Sequence, residues 1–131
     1  MTHLKQTELE QLASQLDRAY AALIVEVRQE LAASDQEHFQ DIAGRVHDQG
    51  EASVADMLAD LGAAMIDRHI HEIRDIEAAK RRMQDGVYGV CVDCGADIDL
   101  ARLNAYPTAR RCIECQGVHE KQFAQTGHPS L

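Results

Sequence analysis

Four cysteines, Cys91, Cys94, Cys112 and Cys115, fall in the order C-x2-C-x17-C-x2-C, and the 131 residues contain no other cysteine. The spacing matches that of a four-thiolate zinc site. Each C-x2-C turn aims two sulfurs at one ion about 2.3 Å away, and two such turns close a tetrahedron. Gly95 follows the first pair, where the knuckle benefits from a residue that tolerates positive φ. Four protein ligands leave no open position for water or substrate, so the spacing predicts one structural Zn2+ and not a catalytic one. Two disulfides or a redox-active dithiol would use the same residues. Nothing in the chain marks a secreted protein, and redox chemistry of the thioredoxin kind needs a βαβ context, whereas no alternating strand pattern surrounds these pairs. His119, four residues past Cys115, could replace a sulfur but is read as a surface histidine.

Away from the cysteines the chain reads as helix. There is no tryptophan and there are only five other aromatic residues, a poor supply for a thick globular core. Apolar residues instead recur at Leu9, Leu12, Leu16, Ala19 and Leu23, alternating steps of three and four as in the seam of a coiled coil. The stripe slips by one through Val27 and Leu31 and resumes at Phe39, Ile42 and Val46, a stutter of the kind that locally unwinds a supercoil. Ser34 and Asp35 are its weakest point. A second stripe runs through Val54, Leu58, Leu61, Met65, Ile73, Ile76 and Met83, and should end with Gly86 at the C′ position. Thr7 is the expected N-cap of the first helix.

The two stripes mirror each other about residue 50: Val46 answers Val54, Ile42 answers Leu58, and Ile24 answers Ile76. The expected fold is therefore mainly α, a long antiparallel helical hairpin (coiled coil) with a small C4 zinc-finger module and a short C-terminal helix. Residues 1–86 would form the hairpin, with its tip near 47–53. Residues 87–125 would form the zinc finger and the C-terminal helix, with Val118 and Phe123 available to pack back, and 126–131 a flexible tail. Arms of about 35–40 residues would each be roughly 50–60 Å long. Two helices and a knuckle supply no third or fourth wall, so a projecting stalk is expected, and residues 1–6 should fray.

The formal net charge is −9, and four thiolates with one Zn2+ add about −2 more. So acidic a chain lacks the means to bind nucleic acid by neutralising phosphates; any role near DNA or RNA would pass through a protein partner with a basic surface. The first residues show no basic-then-apolar signal layout, and no apolar run approaches the ~18 residues of a membrane span. A cytoplasmic location is expected, in keeping with cysteines held reduced for metal. His38, His47, His69 and His71 are read as solvated helix histidines. No phosphate loop, nucleophile elbow or catalytic triad pattern is present, so no enzyme is expected. Asp48 and Glu51, beside Gly50, Ala52 and Ser53 at the bend, form either a solvated acidic turn or an acidic probe on a stalk.

The segment Tyr88-Gly89-x-Cys91-x-x-Cys94-Gly95, then Ile98, Arg102-Leu103-x-Ala105-x-Pro107-Thr108-Ala109-x-x-Cys112-Ile113-x-Cys115, resembles the DksA/TraR family of C4-type zinc finger proteins. The resemblance covers about 33–125 and implies a hairpin whose tip enters the secondary channel of bacterial RNA polymerase and modulates initiation without touching DNA. It places the family's tip motif, D-x-x-D-x-A, on Asp48, Glu51 and Ser53 as partner-binding residues: Asp48 matches, Glu51 is one methylene longer, and Ser53 departs from alanine. Some members act with ppGpp, held partly by basic side chains. At the corresponding places this chain has Asp75, Tyr106 and Gln116, which implies little ppGpp dependence. The resemblance thus points to a DksA-like regulator that binds polymerase, expected to be monomeric. The alternative is a zinc-pinned coiled-coil assembly protein with no polymerase role.

Overall fold

The computed structural model describes residues 3–46 and 53–125. Six α-helices run in the order α1 (Gln6–Ala32), α2 (Glu37–Ala43), α3 (Val54–Ala59), α4 (Asp67–Gln84), α5 (Leu100–Ala105) and α6 (Ile113–Gln125), with a 3-10 turn at Ala64–Ile66 before α4. The architecture is mainly helical, as the patterning predicts. The described residues contain one isolated antiparallel bridge, Val90 to Asp97, in the zinc module.

The two long helices pair as an antiparallel hairpin. Lys80 of α4 reaches Asp17 of α1, and His69 reaches Glu30, close to the mirror about residue 50 that the stripes imply. Leu12, Leu16, Leu23, Val27 and Leu31 of α1 are buried against Ile70, Ile73 and Ile76 of α4 in one core. Ala19 of the predicted stripe is exposed and its neighbour Tyr20 is buried instead. The first helix starts at Gln6, with Lys5 as its cap residue in place of Thr7. The Lys5 N–H donates to Glu8 Oε1 at 2.8 Å, which satisfies one of the orphan donors of the first turn. At its far end α4 stops at Gly86 as expected: Val87 N–H bonds Arg82 O and Gly86 N–H bonds Met83 O, the paired closure of a Schellman motif.

The arms are not continuous. α1 ends at residues 33–36, where Ser34 Oγ accepts from Gln36 N–H and Gln40 Nε2 donates to Ser34 O. These local bonds offer the backbone an alternative to helix, at the weak point that Ser34 and Asp35 mark in the sequence. On the return side α3 ends at Asp60, and Gly62 takes φ of 65°, a left-handed conformation that glycine adopts without the Cβ penalty. At these two reversals the chain turns back on itself. α2 lies back along α1, so that Arg28 Nε and Nη2 both donate to Val46 O at 3.0 and 2.7 Å. α3 lies back along α4, with Arg74 paired to Asp56 and Glu77 bonded to Ser53 and Val54.

Two expectations are corrected here. The arms are shorter than 35–40 residues, and the missing third and fourth walls come from the chain's own α2 and α3. Burial explains the preference. Val46, Val54, Ala55 and Leu58 are each no more than 1 % exposed, and fully burying a Val or Leu side chain is worth about 1.5–3 kcal/mol. A straight stalk two helices thick would cover such residues on one side alone. Phe39, Ile42 and Leu61 are only partly buried at the edge of this core.

The predicted fraying of the N-terminus is corrected as well. His3 Nε2 lies 2.8 Å from Ile98 O, its Nδ1 lies 3.3 Å from Asp97, and Leu4 is buried, so residues 3–4 are fastened to the zinc module, while residues 1–2 lie outside the described residues. The tail at 126–131 lies outside the described residues.

Candidate metal centre and partner-binding segment

The metal centre is assembled from two knuckles. The first is a tight turn in which Gly95 N–H bonds Cys91 O at 3.0 Å and Cys91 N–H bonds Ala96 O at 2.8 Å. Gly95 sits at φ of 78°, the left-handed conformation expected of it, and the turn aims Cys91 and Cys94 the same way. The second knuckle opens α6: Gln116 N–H bonds Cys112 O, and Cys115 N–H approaches Cys112 Sγ at 3.5 Å. Cys112 and Cys115 thus stand at a helix N-terminus, where free amides favour negative sulfur. Between the knuckles, Val92 N–H bonds Arg110 O, Arg111 pairs with Asp93 at 2.7 Å, and Arg102 Nε donates to Arg111 O. These bonds hold both turns against α5.

The four sulfurs all lie within 4.8 Å of one another, and Cys94 Sγ is 3.9 Å from Cys112 Sγ. A tetrahedron with 2.3 Å zinc–sulfur bonds has edges of about 3.8 Å. The donor set and its spacing therefore fit one structural zinc. A disulfide needs sulfurs near 2.05 Å, and all four cysteines are free. Burial opposes ionisation of Cys91, yet amide bonds from Cys94, Cys112 and Asp93 outweigh it and bring its pKa down to about 6. Cys115 is pushed far up by its contacts with Cys112, Cys94 and Cys91. Zn2+ relieves that crowding of like charge and draws off the protons.

The module is docked on the helix ends. Tyr88, 1 % exposed, donates its hydroxyl to Pro107 O at 2.7 Å. Burial pushes its phenol up to about 12, with the Arg82 charge pulling the other way. Gln15 of α1 donates to Asn104 O and Arg82 of α4 to Thr108 O. α6 forms where the sequence predicts it, but Val118 and Phe123 do not pack back: they are 55 % and 44 % exposed. His119 stacks edge-on against Phe123, with ring centroids 4.6 Å apart.

The predicted partner-binding residues are divided. Asp48 and Glu51, with His47, lie outside the described residues. Ser53 is described, and it caps α3: its Oγ accepts from Asp56 N–H at 3.1 Å and donates to Glu77 Oε1 at 2.8 Å. Glu77 also accepts the Val54 N–H at 3.1 Å. The three positions read for their lack of positive charge separate into two surfaces. Asp75 and Tyr106 line one groove of about 560 Å3 with Glu26 and Glu72, and none of its lining residues is Lys or Arg. Gln116 is on α6, bonded to Glu120.

One cluster escaped the sequence reading. His69, placed among the solvated histidines, is 18 % exposed and lies between Glu26, Glu30 and Glu72. Its spacing to His71 on its own helix carries no signal. The signal lay in the mirror register, which sets His69 opposite the i, i+4 pair Glu26 and Glu30 of α1.

Comparison with known proteins agrees with this geometry. Residues 86–121 match the prokaryotic dksA/traR C4-type zinc finger. The RNA polymerase-binding transcription factor DksA of Salmonella typhimurium is 33 % identical over 90 residues, which are 66 % of this chain and 60 % of that protein. Its counterpart in Caulobacter vibrioides is 46 % identical over 56 residues, covering 43 % of this chain and 39 % of the relative. The chain thus spans 60 % or less of the length of these curated relatives. The structure of transcription factor DksA2 from Pseudomonas aeruginosa superposes with a TM-score of 0.62 over 92 % of this chain and 88 % of that one, at 23 % identity, a likeness of fold. Residues 86–121 are thus a C4-type zinc finger of the DksA/TraR family, carried on a helical frame whose fold is like that of DksA2.

Proposed function

We propose that this chain is a transcription factor that binds bacterial RNA polymerase through its secondary channel, using the acidic segment that contains Asp48 and Glu51. The observation that carries the reading is the C4 zinc finger, with four sulfurs within 4.8 Å, set at the base of an antiparallel α1/α4 hairpin in a chain that matches polymerase-binding relatives. In this reading zinc is a structural pin that holds the helix ends, and contact with polymerase falls to residues 47–53. The net charge of −9 supports a protein partner over nucleic acid. Little ppGpp dependence is part of the proposal: the groove holding Asp75 and Tyr106 offers three carboxylates and no cation to a phosphate.

The clasps at Val46 and Ser53 bear on how such a segment would be presented. Arg28 and Glu77 hold its two flanks beside the C-terminal end of α1 and the middle of α4. End-on entry into a narrow channel would require both to let go, and polymerase would then select an opened hairpin.

The test is a pull-down with bacterial RNA polymerase core, competed by another secondary-channel factor, with in vitro initiation assays beside it. Binding that the competitor displaces is expected, and ppGpp should leave the affinity unchanged. Asp48→Asn should keep binding and lose the effect on initiation. Failure to bind core, or full modulation by the Asp48→Asn protein at saturation, would overturn the polymerase reading and the tip assignment respectively. No nucleic acid contact is required at any step.

A further inference from the structure

The first zinc knuckle stands on a short stem. Its rungs are the Cys91 N–H to Ala96 O bond, the isolated bridge between Val90 and Asp97, and Ile98 N–H on Gly89 O at 2.8 Å. A two-stranded hairpin of this size is marginal in water by itself. Residues 3–4, just ahead of α1, pack on it. The His3 ring lies against the last two rungs, with Nε2 2.8 Å from Ile98 O and Nδ1 3.3 Å from Asp97 Oδ1. A carbonyl oxygen only accepts, so Nε2 is the donor to Ile98. Leu4 is 8 % exposed. Gly89 takes φ of 85°, and a Cβ there would lie 3.0 Å from Leu4 Cδ1 and 3.5 Å from His3 Cε1 and Leu103 Cδ1. The absent side chain is therefore the seat of the strap. The Lys5 N–H bond to Glu8 Oε1 opens α1 at the very next residue, so the strap ties the stem to the long helix.

We propose that His3 and Leu4 are positioning residues for the metal centre: by bracing the stem of the Cys91–Cys94 knuckle they slow zinc loss, and zinc loss in turn releases them. Both act through the backbone that aims Cys91 and Cys94, as the outer partners of a metal site do. The dependence runs both ways, because a strap that favours the closed knuckle is itself favoured by the ion that closes it. The start of α1 therefore carries a report of zinc occupancy, on the helix that pairs with α4. The coupling needs zinc at the cysteines and no polymerase contact.

The test is transfer of zinc from the loaded full chain to an excess of a chromogenic chelator, with the release rate read by absorbance. Leu4→Ala should speed release about ten-fold, the lower end of what outer partners of a metal site contribute, and His3→Ala should speed it less. Leu4→Met, which keeps the volume, should restore the wild-type rate. Leu58→Ala, which lowers stability at the distal end, should leave the rate unchanged. Co2+ loaded into Leu4→Ala should keep the tetrathiolate absorption of the wild-type chain, so that the four ligands are seen to stay in place. A double-mutant cycle ties the effect to the seat: Gly89→Ala should speed release less in the Leu4→Ala background than in the wild type, because the clash with Leu4 is then gone. NMR before and after chelation should show the His3 ring resonances move to those of an unstructured peptide. Release unchanged in both Leu4→Ala and His3→Ala, equal acceleration in Leu58→Ala, or His3 resonances unmoved by chelation would each overturn the proposal.

Discussion

The two ends of the hairpin are built on different principles. At the zinc end, four sulfurs converge within 4.8 Å, and backbone and side-chain bonds at Tyr88, Arg102 and Arg111 hold the knuckles in place. Few apolar residues contribute, chiefly Tyr88, Ile98, Leu103 and Ala109. At the distal end, no metal ligand is needed: α2 and α3 fold back and bury Val46, Val54, Ala55 and Leu58, and two clasps, Arg28 on Val46 and Glu77 on Ser53 and Val54, secure them. One end is fixed by coordination, the other by burial and by bonds that can open. A small module cannot rely on burial, whereas a returning helix pair can.

Zinc removal should make the largest difference between the ends. Structural zinc supplies about 10–16 kcal/mol of apparent binding free energy near neutral pH. Chelation, or Cys112→Ser, is expected to abolish amide protection across 88–112 while α1 and α4 keep theirs. Hydrogen exchange read by mass spectrometry checks this. Protection that persists at 88–112 would mean that burial, not metal, holds that end. Conversely, Leu58→Ala should cost about 2–5 kcal/mol as a core cavity, visible in chemical denaturation, and leave zinc affinity unchanged. A loss of zinc affinity in that variant would show that the ends are coupled.

A pH series separates them again. The folded chain holds Tyr88 neutral up to about 12, chiefly through burial, against 10 for an unfolded tyrosine. The stability this contributes is fully present below pH 10, because both states are then protonated. Above pH 10 the unfolded chain ionises first, and about 2–3 kcal/mol is lost as pH rises through 12. Denaturation of zinc-loaded protein between pH 9 and 12.5 should show the decline, and Tyr88→Phe should flatten it. The smallest effect belongs to the clasp. Glu77→Ala should cost about 1–3 kcal/mol for bonds to a charged acceptor and speed exchange in α3. Under the polymerase reading it should also strengthen binding to core, since the opened form need no longer be drawn from a small population. Unchanged exchange in α3 would remove Glu77 as a latch.

Much of this was legible from residues. The C-x2-C pairs, Gly95 and Gly86 each state a local requirement that neighbouring residues meet: two sulfurs per turn, a left-handed knuckle, a helix stop. The pairing of α1 with α4 was legible too, because a mirror in two apolar stripes is a statement about register. The His69 cluster was half legible, since its members sit opposite one another in that register but far apart in the chain. The exposed α6 was not, because Val118 and Phe123 look equally suited to a core or to solvent when no facing element is known.

By itself, then, the sequence determined the elements whose causes are local in the chain: zinc ligands, caps, breaks and stripes, including the weak point at Ser34 and Asp35. Tertiary structure alone decided what the breaks were for. Periodicity says that Val46 and Leu58 must be buried, but a stripe serves a straight stalk and a folded-back bundle equally well. The choice rests on how much surface each arrangement hides, and on whether Arg28 and Glu77 find partners eighteen and twenty-four residues away. Those are sums over contacts that exist only once the chain has turned.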